Sequence, residues 1–232
     1  MRQRMPDGEI EKIRVDRIKP RLSHPHGLHL AAVKRALVPA IAELPQADDP
    51  ILDLYCGVQP YRRLLASRRV IGVDIDLRFG SADVVGDIPL PFRNGAFSAV
   101  LCTQALYFRQ DDREVVSEMH RLVAPGGQAV VTVPYLWRKE SAAFERRYHR
   151  RELEELFSGW SSVSVRGEGG LGTGLAYHLG SLVAGIGRGL PAVQPLVAGS
   201  IATVNTLGRV IDWLTSPVAH RWPAVWVVVA RR

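Results

Sequence analysis

Cysteine is almost missing from this chain: 232 residues hold two, Cys56 and Cys102. That count excludes a disulfide framework and a cysteine-built metal site. It suits a reducing compartment such as the cytoplasm. Both thiols stand at expected strand ends and read as small buried residues. The first ten residues, MRQRMPDGEI, hold no long apolar run, so no secretory signal is read there. No segment repeats another. Charge is missing from residues 189–208. A run of that length could match a membrane span. Pro191, Gln194, Pro195, Ser200, Thr203 and Asn205 lie inside it and argue against one.

Hydrophobic residues make up 47% of the chain and charged residues 23%, the balance of a water-soluble domain with a full core. The length suits one α/β domain with an appended element. Net charge is +7. One concentration of it is the entry arm, with Arg2, Arg4, Lys12, Arg14, Arg17, Lys19 and Arg21; the other runs from Arg138 to Arg151. Basic surfaces favour nucleic acid, anionic lipid heads or acidic small substrates, though a charge run is equally the look of a solvated face. His24, His26 and His29 fall close together in HPHGLH. With no cysteine or acidic cluster beside them they read as loop or cap residues, and no metal site is expected.

The segment ILDLYCGVQPYRRLL, Ile51 to Leu65, reads as a buried strand, a turn with Gly57, and a helix. Such a unit points backbone N–H groups and a helix N-terminus at a ligand. A second strand, VIGVDID, ends in Asp74, at a spacing that suits a carboxylate gripping ribose hydroxyls. Further along, strands are expected near 82–85, 98–102, 128–133, 161–166 and 225–230. Helices are expected over 28–44, 60–67, 111–123 and 150–157. Residues 1–26 read as an arm. Strands alternating with helices imply a mainly parallel sheet covered on both faces.

These motifs resemble class I S-adenosylmethionine (SAM)-dependent methyltransferases, most closely the type 11 branch. ILDLYCGVQPY, VIGVDI, ADVVGDIPLPFRNGAFSAVLCTQALYF, HRLVAPGGQAVVTVPY, RRYHRRELEELF with WSSVSVRGEGG, and WPAVWVVVARR match in order. A dinucleotide fold needs G-x-G-x-x-G in the first turn, where only Gly57 stands here. Tyr55 and Gln59 occupy the family's first and third glycine places. The Glu-His that often follows the fourth strand is missing, with Tyr107-Phe108 near there. The resemblance implies an α/β, Rossmann-like, doubly wound seven-stranded sheet, mostly parallel with an antiparallel last strand. It adds an N-terminal helix over the cofactor cleft and a late helical insertion. The implied organisation is arm and cap helix over 1–47, SAM-binding core over 48–170, apolar helical insertion over 171–222 and closing strand over 223–232.

The resemblance also implies site roles. The turn Asp53, Leu54, Tyr55, Cys56 and Gly57 would hold the methionine end of SAM. Asp74 would take the ribose hydroxyls, with Asp76 as a fallback, and Ile75 would pack on the adenine. Asp87 would accept from the adenine amino group, and the Ile88 N–H would reach a ring nitrogen. Thr103 and Gln104 would line the floor near the methyl group. Tyr107, Tyr135, Tyr148 and His149 are candidate bases, with His149 and its neighbour Tyr148 preferred. The expected enzyme transfers methyl from SAM to a small-molecule, glycan or lipid-linked acceptor at oxygen or nitrogen, leaving S-adenosylhomocysteine. It is expected in the cytoplasm, with its apolar segment packing on the core, forming a dimer contact or resting peripherally on the inner membrane face. An RNA or protein methyltransferase is a second reading. Against nucleic acid, LCTQALYF lacks the Asn/Asp-Pro-Pro-Tyr run of base-methylating enzymes. A SAM-binding scaffold without turnover is a third.

Overall fold

The computed structural model describes residues 4–65, 68–136 and 144–232, and for 218–220 the backbone alone. Its strands are β1 (Ile51–Leu54), β2 (Val70–Asp74), β3 (Val84–Val85), β4 (Phe97–Thr103), β5 (Val123–Pro134), β6 (Ser162–Glu168) and β7 (Val225–Arg231). They form one seven-stranded sheet in the order β3-β2-β1-β4-β5-β7-β6. Strands β1 to β5 pair in parallel, and β7 lies antiparallel between β5 and β6. The expected doubly wound architecture is therefore present. β1, most of β4, the later part of β5 and most of β7 are buried continuously rather than on alternate residues. That is the pattern of strands covered on both faces.

The covering helices are α1 (Asp7–Ile18), α2 (Gly27–Ala42), α3 (Asp112–Leu122), α4 (Arg150–Leu156), α5 (Leu171–Ile186) and α6 (Gln194–Leu214). On one face Val115, Met119 and Leu122 of α3 join Leu153 of α4 against Leu52, Val100, Val131 and Val228. On the other, Ala32, Val33, Ala36 and Leu37 of α2 pack on Ile51, Ala99, Val130 and Val227. Pro125-Gly126-Gly127 lies near the start of β5, at a register shift against β4. Gly126 there takes φ +77, which glycine adopts without penalty.

Three expectations are corrected. The arm is not irregular: it folds into α1, because Ile10, Ile13 and Arg14 fall at helical spacing and Ile10 is buried. The helix expected near 60–67 is, as far as residue 65, a 3-10 turn, Arg62–Leu65; its last two positions lie outside the described residues. Tyr55, Gly57 and Gln59 all have positive φ, so a right-handed helix has no room to start earlier. And α2 lies on the sheet face, while α1 borders the ligand cleft described below. The basic stretch from Arg138 falls partly outside the described residues, its first six positions among them.

α5 and α6 pack on one another beside α2. They approach through glycine. A Cβ on Gly208 would stand 2.7 Å from the Gly172 carbonyl oxygen, 2.8 Å from Ala176 Cβ and 2.9 Å from Leu28 Cδ1. Buried Asn205 ties α6 to the loop before α2, donating to the carbonyls of Leu22 (2.6 Å) and His24 (3.0 Å). Gly199, on the same helix, faces open space. Gly208→Ala is therefore expected to cost about 1–2 kcal/mol, overpacking outweighing the helix propensity gained. Gly199→Ala is expected to add up to about 1 kcal/mol. Urea denaturation of the two variants checks the contrast, and equal effects would refute it.

Candidate functional site

The carboxyl ends of β1, β2 and β4 meet at one cavity of about 520 Å³. This is where ligands bind in open parallel sheets, and the volume suits a nucleoside-sized molecule. Of the residues expected to hold a cofactor, Tyr55, Cys56, Gly57, Asp74, Ile75, Thr103 and Gln104 line it. Asp53, Leu54, Asp87 and Ile88 do not.

The turn after β1 carries the geometry. Tyr55 and Gln59, standing where glycine was expected, take φ +56 and +49, and Gly57 takes +52. The left-handed backbone of a glycine turn is thus kept without two of its glycines, at about 1–2 kcal/mol for each side chain forced there. Interactions hold them in place. Tyr55 O–H donates to Asp87 Oδ1 at 2.8 Å, and the Arg109 guanidinium lies 5.2 Å from the Tyr55 ring. Buried Gln59 accepts from Arg62 at 2.7 Å. A Cβ at Gly57 would meet nothing within 4 Å, so the backbone there is open to close approach. The Gly57 N–H donates to Asp74 Oδ2 at 2.7 Å, locking the ends of β1 and β2 together. Ile75 is half exposed in the cavity, apolar surface a ligand ring could cover. Gln104 has φ +55 and a buried amide nitrogen with no hydrogen-bond partner among the described residues.

Asp87 is engaged from several sides. Its Oδ1 accepts from Tyr55 and from the Ile88 N–H (2.9 Å), and its Oδ2 from Arg109 (2.8 Å). Burial alone would raise this carboxyl, but these hydrogen bonds outweigh it and hold it below the usual carboxylate range. The Ile88 N–H expected to meet a ring nitrogen is spent on Asp87. An adenine contact here requires the Arg109 pair to yield.

The sequence reading missed Ile13, Arg17 and Arg109, all of which line the cavity. Arg14 fastens α1 to the cavity rim, donating to the Val58 carbonyl at 2.7 Å and to Ser81 Oγ at 3.0 Å. The signal was the isoleucine spacing of the arm, hidden among its charges. His29, behind the floor, has Nε2 3.4 Å from Gln104 Oε1. Complete burial drops its pKa to about 3, so its ring is neutral.

The candidate bases lie elsewhere. Tyr148 is corrected: it is wholly buried, and its hydroxyl donates to Asp112 at 2.9 Å. Arg146 donates to the same carboxylate at 2.7 Å. An aromatic so anchored fixes the chain onto α3 and does not face the cavity. His149 is exposed, its backbone N–H donates to Glu152 Oε2 at 2.6 Å at the start of α4, and its Nδ1 lies 3.2 Å from the Tyr135 hydroxyl.

Residues 52–131 match the family model described as a methyltransferase domain, type 11. Over that stretch, about a third of its length, the chain is similar to SAM-dependent methyltransferase domains. No curated protein matches the sequence. The chain is similar in fold to several solved structures. A SAM-dependent methyltransferase from Archaeoglobus fulgidus shares 14% identity, with 96% of this chain and 99% of that one covered, at a TM-score of 0.56. The complex of the Haloferax volcanii Trm112 methyltransferase activator gives 19%, 97%, 94% and 0.54 in the same order. Phosphoethanolamine N-methyltransferase 2 from Haemonchus contortus, solved with SAM, gives 13%, 86%, 52% and 0.53. The left-handed turn, the open Gly57 backbone and the unpartnered Gln104 amide fit SAM, the cofactor of such domains.

Asp53 gives the site a pH signature. Burial first, and the neighbouring Asp74 charge second, push its carboxyl up to about 8. An unfolded aspartate titrates near about 3.9, so between about pH 4 and pH 8 the folded state holds a proton that the unfolded chain has released. Stability contributed at this residue therefore declines as pH rises through that window. Asp53→Asn is expected to remove the decline and to exceed the parent protein in stability at pH 8. Urea midpoints across the window test this, and parallel profiles would overturn it.

Proposed function

We propose that this chain transfers methyl from SAM to a small-molecule, glycan or lipid-linked acceptor, at oxygen or nitrogen. The observation that carries the cofactor half is the lock between Gly57 and Asp74 at the mouth of one cavity. SAM supplies an electrophilic methyl group on a sulfonium. The chain's part is to orient it and to exclude water. Asp74 accepts from the ribose hydroxyls when it exchanges the Gly57 N–H for them. Ile75 packs on the adenine, and Tyr55 and Arg109 border it. The turn Asp53 to Gly57 receives the methionine end through its backbone. Thr103 and Gln104 floor the reacting end, the unpartnered Gln104 amide being a ready donor.

For the acceptor, His149 is the base we favour. With the ring hydrogen on Nδ1, donated to the Tyr135 hydroxyl 3.2 Å away, Nε2 is left unprotonated to take the acceptor proton. The methyltransferase with phosphoethanolamine in its name, similar in fold, lends support to a small or lipid-related acceptor. The exposed apolar residues of α5 and α6 support a peripheral seat on a membrane. No helix among the described residues is long and apolar enough to cross one.

The scaffold reading is weakened by the turn itself. Tyr55 and Gln59 adopt the backbone of the glycines they stand in for, so the substitutions do not close the cavity.

Calorimetric titration with SAM and S-adenosylhomocysteine tests the reading. Binding of about micromolar strength is expected, weakened roughly 10- to 100-fold in Asp74→Ala, the loss of one or two charged hydrogen bonds. Radiolabelled methyl from SAM should then enter the organic phase or small-molecule fraction of a cell extract. No binding of either nucleotide would sink the proposal.

A further inference from the structure

Away from the cofactor cavity, α2 and α6 border a second one of about 340 Å³, with Arg21, Arg35 and Arg209 in its lining and Asp212 as its one acidic residue. That carboxylate is spoken for: Thr173 donates to it through its N–H at 3.1 Å and its hydroxyl at 2.5 Å. Arg21 and Arg35 have acidic neighbours, Asp16 at 3.2 Å and Glu168 at 3.6 Å, but both guanidinium side chains are more than half exposed. Such pairs bind weakly and yield to a better anion. The Arg209 side chain makes no hydrogen bond or ion pair with any described residue. Lys34 lines an adjoining hollow that also shares Arg35. Arginines converging on one hollow offer the planar forks that take phosphate oxygens in pairs.

The surroundings say where that phosphate comes from. One turn beyond Arg209 on α6 is Trp213, 74% exposed, followed by Leu214 at 64%. On α5, Leu175, Leu179, Leu182 and Ile186 are exposed at three- and four-residue spacing. Exposed apolar side chains in such register form a face rather than a scatter. Between Glu168 and Asp212 the sequence has no acid at all, and its only charges are Arg188 and Arg209. A surface of anionic headgroups above acyl chains complements both features, the cations and the exposed leucines and tryptophan.

We propose that α5, α6 and the arginine-lined hollow dock this protein on an anionic phospholipid surface. The guanidiniums hold a headgroup phosphate, and Trp213 with the apolar stripe enters the interface. This deepens the peripheral seat proposed above and rests on it, but not on the transfer chemistry.

The test is flotation of the full chain with phosphatidylcholine vesicles, with and without phosphatidylglycerol. Arg209→Glu, Trp213→Ser and the parent protein are compared, and SAM titration of each reports that the cofactor site is intact. Retention is expected on the phosphatidylglycerol vesicles only. Each substitution should weaken it about tenfold or more, with SAM affinity unchanged. Equal binding to both vesicle types, or binding insensitive to Arg209→Glu, would overturn the headgroup assignment. Inorganic phosphate bound at the hollow without vesicle retention would make it a soluble-phosphate site and overturn docking. A stable dimer that ignores vesicles would do the same. Loss of SAM binding in the parent would sink the transfer reading and leave docking to be judged on its own arms.

Discussion

One hydrogen bond organises the functional end of this molecule: the Gly57 N–H donated to the Asp74 carboxylate across 2.7 Å. It joins the turn after β1 to the tip of β2. Both strands are parallel neighbours of fixed register, with Leu54 opposite Val73. The bond can form only if the chain leaves β1 in a left-handed turn. That requirement explains why Tyr55 and Gln59 accept conformations usual for glycine. The cost is met by fastening each side chain, Tyr55 to Asp87 and Gln59 to Arg62. A cavity wall made this way is stiff, because its strain is balanced by interactions that must be kept together.

Electrostatics follows from the same packing. Asp53 lies buried within reach of the Asp74 charge, and its proton is retained well above the usual range. Asp87, more exposed, is held ionised by Tyr55 and Arg109. Two carboxyls bordering one turn thus sit in opposite protonation regimes, set by burial in one case and by donors in the other.

Much of the frame was legible in the chain itself. The apolar runs ILDL, VIGV, AVLC and VWVVV announced strands of a buried parallel sheet, and Gly57 with Asp74 announced its ligand end. Three features were not legible. The arm's helix was masked because charged residues outnumber the isoleucines that dock it. Tyr148 looked reactive beside His149, since a sequence does not say that an arginine-rich segment will bury its tyrosine on Asp112. The helix after β1 shrank to a 3-10 turn because three left-handed residues precede it, and only Gly57 advertised that conformation.

The wall that α1 lends to the cavity bears on turnover speed. Ile13 and Arg17 face the ligand space, and α1 is fastened to the rim by Arg14 on Val58, with Met5 on Arg78 just before it. Arg14 on Ser81 and Arg63 on Glu11 add to these, and every one of them joins α1, or Met5 before it, to the turns around the cavity or its rim. A nucleoside leaving on that side would have to pass Ile13 and Arg17. Residues remote from the reacting atoms would then bear on how fast that ligand leaves.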